Sequence, residues 1–336
     1  ANARQASPDW RVEELICDAR SIIADTAGAF TDANRLTEQA AAIARALAVS
    51  ADLHANSKIM TTLLDESGQL HEDQNKIMEI QKTYYTQLYN KRIDEKQMND
   101  KINAFLGDTH TPKLTENPKE SCEGIILHKE IQVALKEMKN GSAPGIDGIT
   151  IEFIKMFWSH LGEFMAQTFN VAYDTGKLST TQCKAVITLI HKGKDLPRNQ
   201  LKNWRPISLT NSDYKLLAKC LAIRLSGVIQ SVVNEDQVGF VKGRKAATLL
   251  RVIDDVCDQM DKIDKPGILL TIDYRQAFDR ISKEFMLSAF EKFGFGPSFI
   301  QWVKILMFDS KSCITYCGWL SEFFPVECGI RQGCPF

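Results

Sequence analysis

The sequence predicts an α+β fold, because short apolar strands and longer amphipathic helices both occur along its 336 residues. Apolar or β-branched runs at 185–190, 204–209 and 268–273 are typical of strands. Apolar residues at helical spacing predict helices at about 129–139 and 215–233. The chain is long enough for about two or three domains with a substantial core.

Composition and length exclude several classes of protein. The sequence is 44% hydrophobic and 25% charged, with a formal net charge of −1, which argues against a uniformly basic nucleic-acid binder. No apolar run is long enough to cross a membrane, and the first residues lack a signal-peptide pattern. We therefore expect a soluble intracellular protein with no membrane partner. The alanine at residue 1 and the stop at Phe336 favour a fragment or a processed chain.

Positive charge is concentrated in one part of the chain. Between Lys184 and Arg251 there are 13 Lys/Arg residues and 4 Asp/Glu residues. This excess predicts either a surface for phosphates or a solvated face that acidic residues balance elsewhere.

The nine cysteines are too dilute for a disulfide scaffold and are expected to be reduced thiols. Four of them lie close together near the end of the sequence, where zinc binding is an open alternative. These four are Cys313, Cys317, Cys328 and Cys334.

Residues 1–57 differ from the rest of the chain. They hold 16 of its 28 alanines, and they show apolar residues at helical spacing. The sequence predicts a small helical extension here and assigns no chemistry to it.

Asp273 follows the predicted strand at 268–273, which is entered after the turn signal Pro266-Gly267. A carboxylate at the exit of a buried strand is costly unless a cation or a hydrogen-bond donor meets it. Asp273 is therefore a candidate metal ligand, and a helix cap or turn former is the alternative.

Six motifs follow one another along the chain, and their order makes them specific as a set. They are Ser142-Ala-Pro-Gly-Ile-Asp-Gly148, Ile187-Thr-Leu-Ile-His-Lys-Gly-Lys194, Trp204-Arg-Pro-Ile-Ser-Leu209, Asp236-Gln-Val-Gly-Phe-Val-Lys-Gly-Arg244, Thr271-Ile-Asp-Tyr-Arg-Gln-Ala-Phe-Asp279 and Gly329-Ile-Arg-Gln-Gly-Cys-Pro335. This series resembles the reverse transcriptase domain of non-LTR (LINE-type) retrotransposons. A looser similarity begins near Lys58 and includes the aromatic helix from Gln81 to Tyr89, so the resemblance covers about 58–336.

The resemblance implies a right-hand polymerase fragment. The implied divisions are a helical extension at 1–57, a helical linker at 58–120, fingers at 121–250 and a partial palm at 251–336. The palm is expected to be an antiparallel sheet with helices on one face. Its expected pieces are a strand at 268–273, helices near 283–293 and 298–308, and a hairpin at about 312–328.

The resemblance also implies roles around the metal and the sugar. Asp273 matches the first catalytic carboxylate, and the carbonyl of Tyr274 is an implied backbone ligand of Mg²⁺. Phe278 matches the aromatic that lies against the sugar of the incoming nucleotide and blocks a 2′-hydroxyl, with a core aromatic as the alternative. Asp279 is expected to be a structural partner or a cap, and Ser282 is a second cap candidate.

Five further residues match positions that hold the nucleotide. Arg205 matches the arginine that grips the triphosphate, and its alternative is a surface arginine. Lys192 or Lys194 is expected beside it on a mobile basic flap, with the register uncertain by a residue or two because His191 stands where relatives have proline. Gln332 and Gly333 match the pair that packs under the nascent base pair.

Template contacts are implied for two basic residues and one loop. Lys242 and Arg244 are expected to contact template phosphates, with a solvated loop as the alternative. The loop at 142–148 is expected to support the template strand, with a plain tight turn as the alternative.

The family's second catalytic motif, an aromatic-X-Asp-Asp hairpin, is expected some tens of residues past Gln332. The sequence stops at Phe336, and its paired aspartates Asp254 and Asp255 lie upstream in a predicted helix, where they are expected to face solvent. Because one carboxylate cannot hold two metal ions at working geometry, these 336 residues alone are expected not to polymerise.

For the parent protein, the resemblance implies RNA-directed DNA synthesis by two-metal nucleotidyl transfer. The implied partners are an RNA template, a DNA primer or target and dNTPs, the implied cofactor is Mg²⁺, and the implied location is a nuclear or cytoplasmic ribonucleoprotein. Two alternatives stay open: a non-catalytic remnant that binds nucleic acid, and an inert truncated chain. The sequence leaves the oligomeric state undetermined.

Overall fold

A computed structural model of the protein describes residues 60–91, 94–107, 109–193 and 195–336. The helical extension predicted at 1–57 lies outside the described residues, and so does Lys194.

Helices account for most of the regular structure in those ranges. They are α1 (Gln74–Tyr89), α2 (Glu95–Gly107), α3 (Glu116–Cys122), α4 (His128–Glu137), α5 (Ile151–Met156), α6 (Trp158–Thr175), α7 (Ser212–Val228), α8 (Ala246–Lys262), α9 (Ala277–Arg280), α10 (Lys283–Lys292) and α11 (Pro297–Met307). The strands are β1 (Leu63–Leu64), β2 (Leu70–His71), β3 (Lys184–His191), β4 (Trp204–Thr210), β5 (Lys311–Tyr316), β6 (Trp319–Leu320) and β7 (Phe324–Pro325). This mixture of helix and sheet confirms the predicted α+β class.

Several helix ends have a local cause in the sequence. Asp73 caps α1 by accepting a hydrogen bond from the amide of Lys76. Ser282, the predicted cap candidate, caps α10 by accepting from the amide of Phe285. The sequence has a helical pattern through Phe153, Phe157 and Phe164 to Tyr173, which predicts one continuous helix, whereas the structure has two, α5 and α6. Phe157 leaves helical geometry, with φ −100° and ψ 17°, and this ends one helix and starts the next.

The main sheet has the strand order β4-β3-β5-β6, with β7 also paired to β5. Strands β3 and β4 are antiparallel, and the hairpin predicted at 312–328 is confirmed by the antiparallel partners of β5. However, β3 and β5 are parallel, from Lys184 opposite Lys311 to Ile187 opposite Ile314. The pairings within 251–336 are thus antiparallel, as expected for the palm, and the parallel pairing of β5 with β3 makes the whole sheet mixed. The long helical connection between β3 and β5 allows the parallel pairing, which a short turn could not.

The strand predicted at 268–273 is absent, and this prediction was wrong. Residues 265–274 have no strand pairing, and the apolar side chains there are exposed, with Ile268 at 98% and Leu270 at 76%. A strand needs a neighbouring strand for its amides and carbonyls. The described sheet places no strand beside this segment, so its apolar pattern alone does not produce one.

Two hydrophobic clusters hold the described part together. One packs α4, α6, α7 and α11 around Phe169, Leu216 and Trp302. The other packs α1 onto the sheet through Ile77 and Ile314. Helices α10 and α11 confirm the predictions near 283–293 and 298–308. No helix within the described ranges is long and apolar enough to cross a membrane.

Eight of the nine cysteines lie in the described part of the chain. None of the eight cysteines in the described part forms a disulfide. Cys313 is buried in β5 while Cys317 is exposed at the turn after it. Among the described residues, no group of three or more His, Cys, Asp or Glu could hold a metal ion, so nothing supports the zinc alternative.

Candidate nucleotide-binding site

The β3–β4 hairpin places two of the predicted basic residues at one end. Arg205 is exposed on β4 opposite Ile190, and Lys192 directly follows β3. The backbone amide of Lys192 donates to the carbonyl of Asn203 at 2.9 Å, and its ammonium donates to the carbonyl of Lys202 at 2.6 Å. The hairpin therefore presents positive charge from both of its strands at the same end.

Gln332 and Gly333 lie against β4. The amide of Ser208 donates to the carbonyl of Gln332 at 2.7 Å, which ties the segment to the strand that carries Arg205. Gly333 has φ +102°, and a Cβ there would lie 3.1 Å from the carbonyl oxygen of Ser208. The positive φ and the close backbone approach together favour glycine.

The side chain of Gln332 is held by a buried carboxylate. Its Nε2 donates to Oδ1 of Asp279 at 2.8 Å, and the Tyr89 hydroxyl donates to the same oxygen at 3.2 Å. Burial raises the pKa of Asp279, while the hydrogen bonds from Gln332 and Tyr89 and the charge of Lys192 oppose that rise. These contacts confirm that Asp279 is a structural partner.

The short helix α9 carries Phe278 and is bound to the same segment. The amide of Ile330 donates to the carbonyl of Phe278 at 2.7 Å, and the amide of Gly329 donates to Ile281 at 2.8 Å. The side chain of Phe278 is 52% exposed and meets the ring of Phe240 edge-on at 5.9 Å. About half of Phe278 therefore faces solvent in the described part of the chain, which favours the expected role over that of a core aromatic.

Sequence reasoning missed the contribution of α1 to this site. The hydroxyl of Tyr84 accepts a hydrogen bond from Gln276 Nε2 at 3.2 Å, and Tyr89 bonds Asp279 as above. The available signal was the aromatic-rich stretch from Gln81 to Tyr89. This stretch contributed to the resemblance, but no role was assigned to its tyrosine hydroxyls.

Asp273 and Tyr274 lie apart from the packed contacts, on the exposed segment 265–274. A carboxylate oxygen of Asp273 and the carbonyl oxygen of Tyr274 are the donor types that Mg²⁺ prefers. A two-ion centre needs more carboxylates than this, and the described residues contain no group of three metal-ligating side chains. The donors therefore fit one part of a magnesium site and do not complete it.

Lys242 and Arg244 lie in a loop before α8. Lys242 is exposed, whereas the guanidinium of Arg244 donates to three backbone carbonyls of the preceding turn. Arg244 therefore shapes its own loop in this structure. The expected phosphate contacts of both residues stay a prediction.

The loop at 142–148 is tied to the start of α7. The ammonium of Lys215 donates to the carbonyl of Ala143 at 2.7 Å, and the Ser212 hydroxyl donates to Ile149 at 2.5 Å. Burial and the neighbouring charge of Asp213 raise the pKa of Asp147 to about 7, while Lys215 opposes this. The loop is thus more than a plain exposed turn.

Asp254 and Asp255 lie on α8 and are exposed, as expected, and they lie upstream of Asp273.

Comparison with known proteins adds an independent observation. Residues 190–336 match the family model described as reverse transcriptase (RNA-dependent DNA polymerase). The chain is 31% identical over 281 residues to the transposon TX1 uncharacterized 149 kDa protein of Xenopus laevis, a match that covers 83% of this chain and 21% of that protein.

Two further relatives are more distant. The chain is 27% identical over 211 residues to the retrovirus-related Pol polyprotein from type-1 retrotransposable element R2 of Popillia japonica, covering 62% of this chain and 28% of that protein. It is 28% identical over 168 residues to the probable RNA-directed DNA polymerase from transposon X-element of Drosophila melanogaster, covering 49% of this chain and 17% of that protein. The chain thus spans between 17% and 28% of the length of these curated relatives.

Proposed function

Because this chain belongs to the reverse transcriptases of non-LTR retrotransposons, we propose that it takes part in RNA-templated DNA synthesis. One observation carries most of the proposal: Gln332 and Gly333 lie against β4, the strand of Arg205, and Gln332 bonds the helix that carries Phe278. These contacts support a single site that residues from three distant parts of the sequence border.

In this proposal, the site holds an incoming dNTP. Arg205 donates its planar guanidinium fork to the triphosphate, and Lys192 adds positive charge at the same end of the hairpin. Lys194, outside the described residues, is proposed as a second lysine of this flap. Phe278 lies against the sugar and excludes a 2′-hydroxyl, while Gln332 and Gly333 lie under the nascent base pair.

Asp273 and Tyr274 are the proposed magnesium ligands. The carboxylate of Asp273 and the carbonyl of Tyr274 would hold Mg²⁺, which when bound stabilises charge on the attacking hydroxyl and the leaving pyrophosphate. The exposed backbone at 265–274 leaves the carboxylate of Asp273 open to solvent and to a substrate.

The remaining partners are an RNA template and a DNA primer or target. Lys242 is exposed and is proposed to contact template phosphates, and Arg244 would do so by exchanging some of its loop carbonyl partners. We assign residues 121–250 to fingers and 251–336 to part of a palm of a right-hand polymerase, with 58–120 as the linker before them.

Primer extension on an RNA template with Mg²⁺ and dNTPs tests this function. Four proteins are compared: this chain, a version extended downstream along its reading frame, and the extended version carrying either Asp273→Ala or Asp258→Ala. We expect product from the extended version and none from this chain, with at least about a hundredfold loss in Asp273→Ala. Asp258→Ala, which removes another exposed carboxylate, is the matched control and is expected to keep full activity.

One result would contradict the proposal. If the extended version makes no product while all four proteins bind RNA equally and in a salt-dependent way, the chain is a nucleic-acid-binding module and Asp273 has no catalytic role.

A further inference from the structure

The helix α1 lies upstream of the six polymerase motifs, yet it bonds the turn that carries Phe278 at two points. Gln276 Nε2 donates to the hydroxyl of Tyr84 at 3.2 Å, and the hydroxyl of Tyr89 donates to Oδ1 of Asp279 at 3.2 Å. These two bonds fall on either side of Phe278.

The turn needs such support because it cannot hold its own shape. Helix α9 has only four residues, from Ala277 to Arg280, which is too short to be stable by its own hydrogen bonds. It begins after Gln276, whose φ of +56° is costly for a residue with a side chain. External contacts must therefore fix the position of Phe278.

Asp279 connects those contacts. Its side chain is buried, at 4% exposure, where a carboxylate is costly unless donors meet it. Its Oδ1 accepts from Tyr89 on one side and from Gln332, at 2.8 Å, on the other. One oxygen thus joins α1 to the residue expected under the nascent base pair, and the ring of Phe278 is carried by the adjacent residue.

We propose that Tyr89 is a positioning residue for nucleotide selection. Through Asp279 it fixes the turn that carries Phe278 and the side-chain amide of Gln332. Helix α1 thereby determines in part how strongly the site rejects a ribonucleotide. This inference rests on the proposed function and extends it to a residue outside the six motifs.

The test measures selection, because a purely structural role would not change it. In the extended version, single-nucleotide incorporation opposite a template adenine is measured with dTTP and with UTP, and the ratio of the two kcat/KM values is compared between variants. Tyr89→Phe removes only the hydroxyl and is expected to lower the dTTP preference about three- to tenfold, which is the range for the loss of one ordinary hydrogen bond.

Tyr85→Phe is the matched control. The Tyr85 hydroxyl is buried one turn away, has no hydrogen-bond partner among the described residues, and its ring stacks on Tyr89 at 6.2 Å. We expect its dTTP preference to stay within about twofold of the unmodified protein. Similar thermal midpoints in the two variants would show that any difference in selection does not come from folding.

Asp279→Asn provides a second measurement. The asparagine keeps an oxygen that can accept hydrogen bonds from Tyr89 and Gln332. The dTTP preference of Asp279→Asn is therefore expected to lie between that of the unmodified protein and that of Asp279→Ala. The inference is overturned if Tyr89→Phe keeps the full dTTP preference while Asp273→Ala abolishes synthesis, and the proposed function then stands. If Asp273→Ala retains synthesis, the proposed function fails first.

Discussion

The segments 265–274 and 326–333 both carry residues expected to meet the nucleotide, and the protein holds them in opposite ways. Along 265–274 the backbone has no strand pairing, and Ile268 is 98% exposed. Along 326–333 there is also no regular strand, yet its backbone groups bond to α1, α9 and β4. The comparison shows that hydrogen-bond partners, rather than a strand-like sequence, determine which segment is fixed in place.

The difference has a simple physical cause. A strand satisfies its backbone groups only through a neighbour, so an apolar run without one stays extended and solvated. An irregular segment that crosses several elements can satisfy the same groups one at a time. Residues 326–333 do so because they run past the ends of three elements.

Paired isoleucine substitutions test most directly whether the segment 265–274 is exposed. Ile314, on β5, is fully buried, so Ile314→Ala is expected to lower the free energy of unfolding by about 2–5 kcal/mol. Ile268→Ala, in the exposed segment, should change it by less than about 0.5 kcal/mol. Urea unfolding of both variants checks this. Equal losses would mean that 265–274 is buried in solution.

The close approach at Gly329 tests how tightly 326–333 is held. Gly329 has φ +80°, and a Cβ there would lie 2.6 Å from the carbonyl oxygen of Asp279. Gly329→Ala is therefore expected to cost about 2–4 kcal/mol in urea unfolding. Gly68→Ala, at φ +85° with nothing within 4 Å, is the control for the backbone angle alone and should cost about 1 kcal/mol. Equal costs would show that the segment can move aside.

The packed part of the molecule should also respond to pH. Burial and Asp213 raise the pKa of Asp147 from its ordinary value of 3.8 to about 7. The folded state therefore binds more protons than the unfolded state between about pH 4 and pH 7, and stability falls as pH rises through that window. Burial also raises the pKa of Asp213, so this group changes stability with pH in the same direction. The lowered pKa of Lys215 affects stability at higher pH.

Asp147→Asn should remove part of this slope. We expect a gain of about 1 kcal/mol at about pH 8 and no gain at about pH 4, where Asp147 is protonated. Urea unfolding across that range measures it, with the exposed Asp258→Asn as the control. An unchanged slope in Asp147→Asn would show that Asp147 is solvated.

Local sequence patterns located most elements. The runs at 185–190 and 204–209 became β3 and β4, and the predicted helices near 283–293 and 298–308 became α10 and α11. These elements follow from side-chain spacing and from caps such as Ser282, which act over a few residues. The break at Phe157 was missed because the apolar spacing continues through it.

The residues of the candidate site could be named from the sequence, whereas their contacts with one another could not. The motifs named Arg205, Phe278, Gln332 and Gly333, and hydrogen bonds in the structure link Gln332 to β4, the strand of Arg205, and to α9, the helix of Phe278. Nothing in the spacing shows that Gln332 bonds Asp279, or that Tyr89 does so from about 190 residues upstream. Such contacts depend on how distant elements pack.

The family, the α+β class and the approximate positions of several helices and strands could be predicted from the sequence alone, because these depend on motif order and on short-range side-chain patterns. Three features became visible only in the packed structure: β5 pairs parallel with β3, 265–274 is not a strand, and α1 reaches the turn of Phe278. Each of those outcomes depends on which distant backbone or side-chain group supplies a hydrogen-bond partner, and local patterns carry no information about that choice.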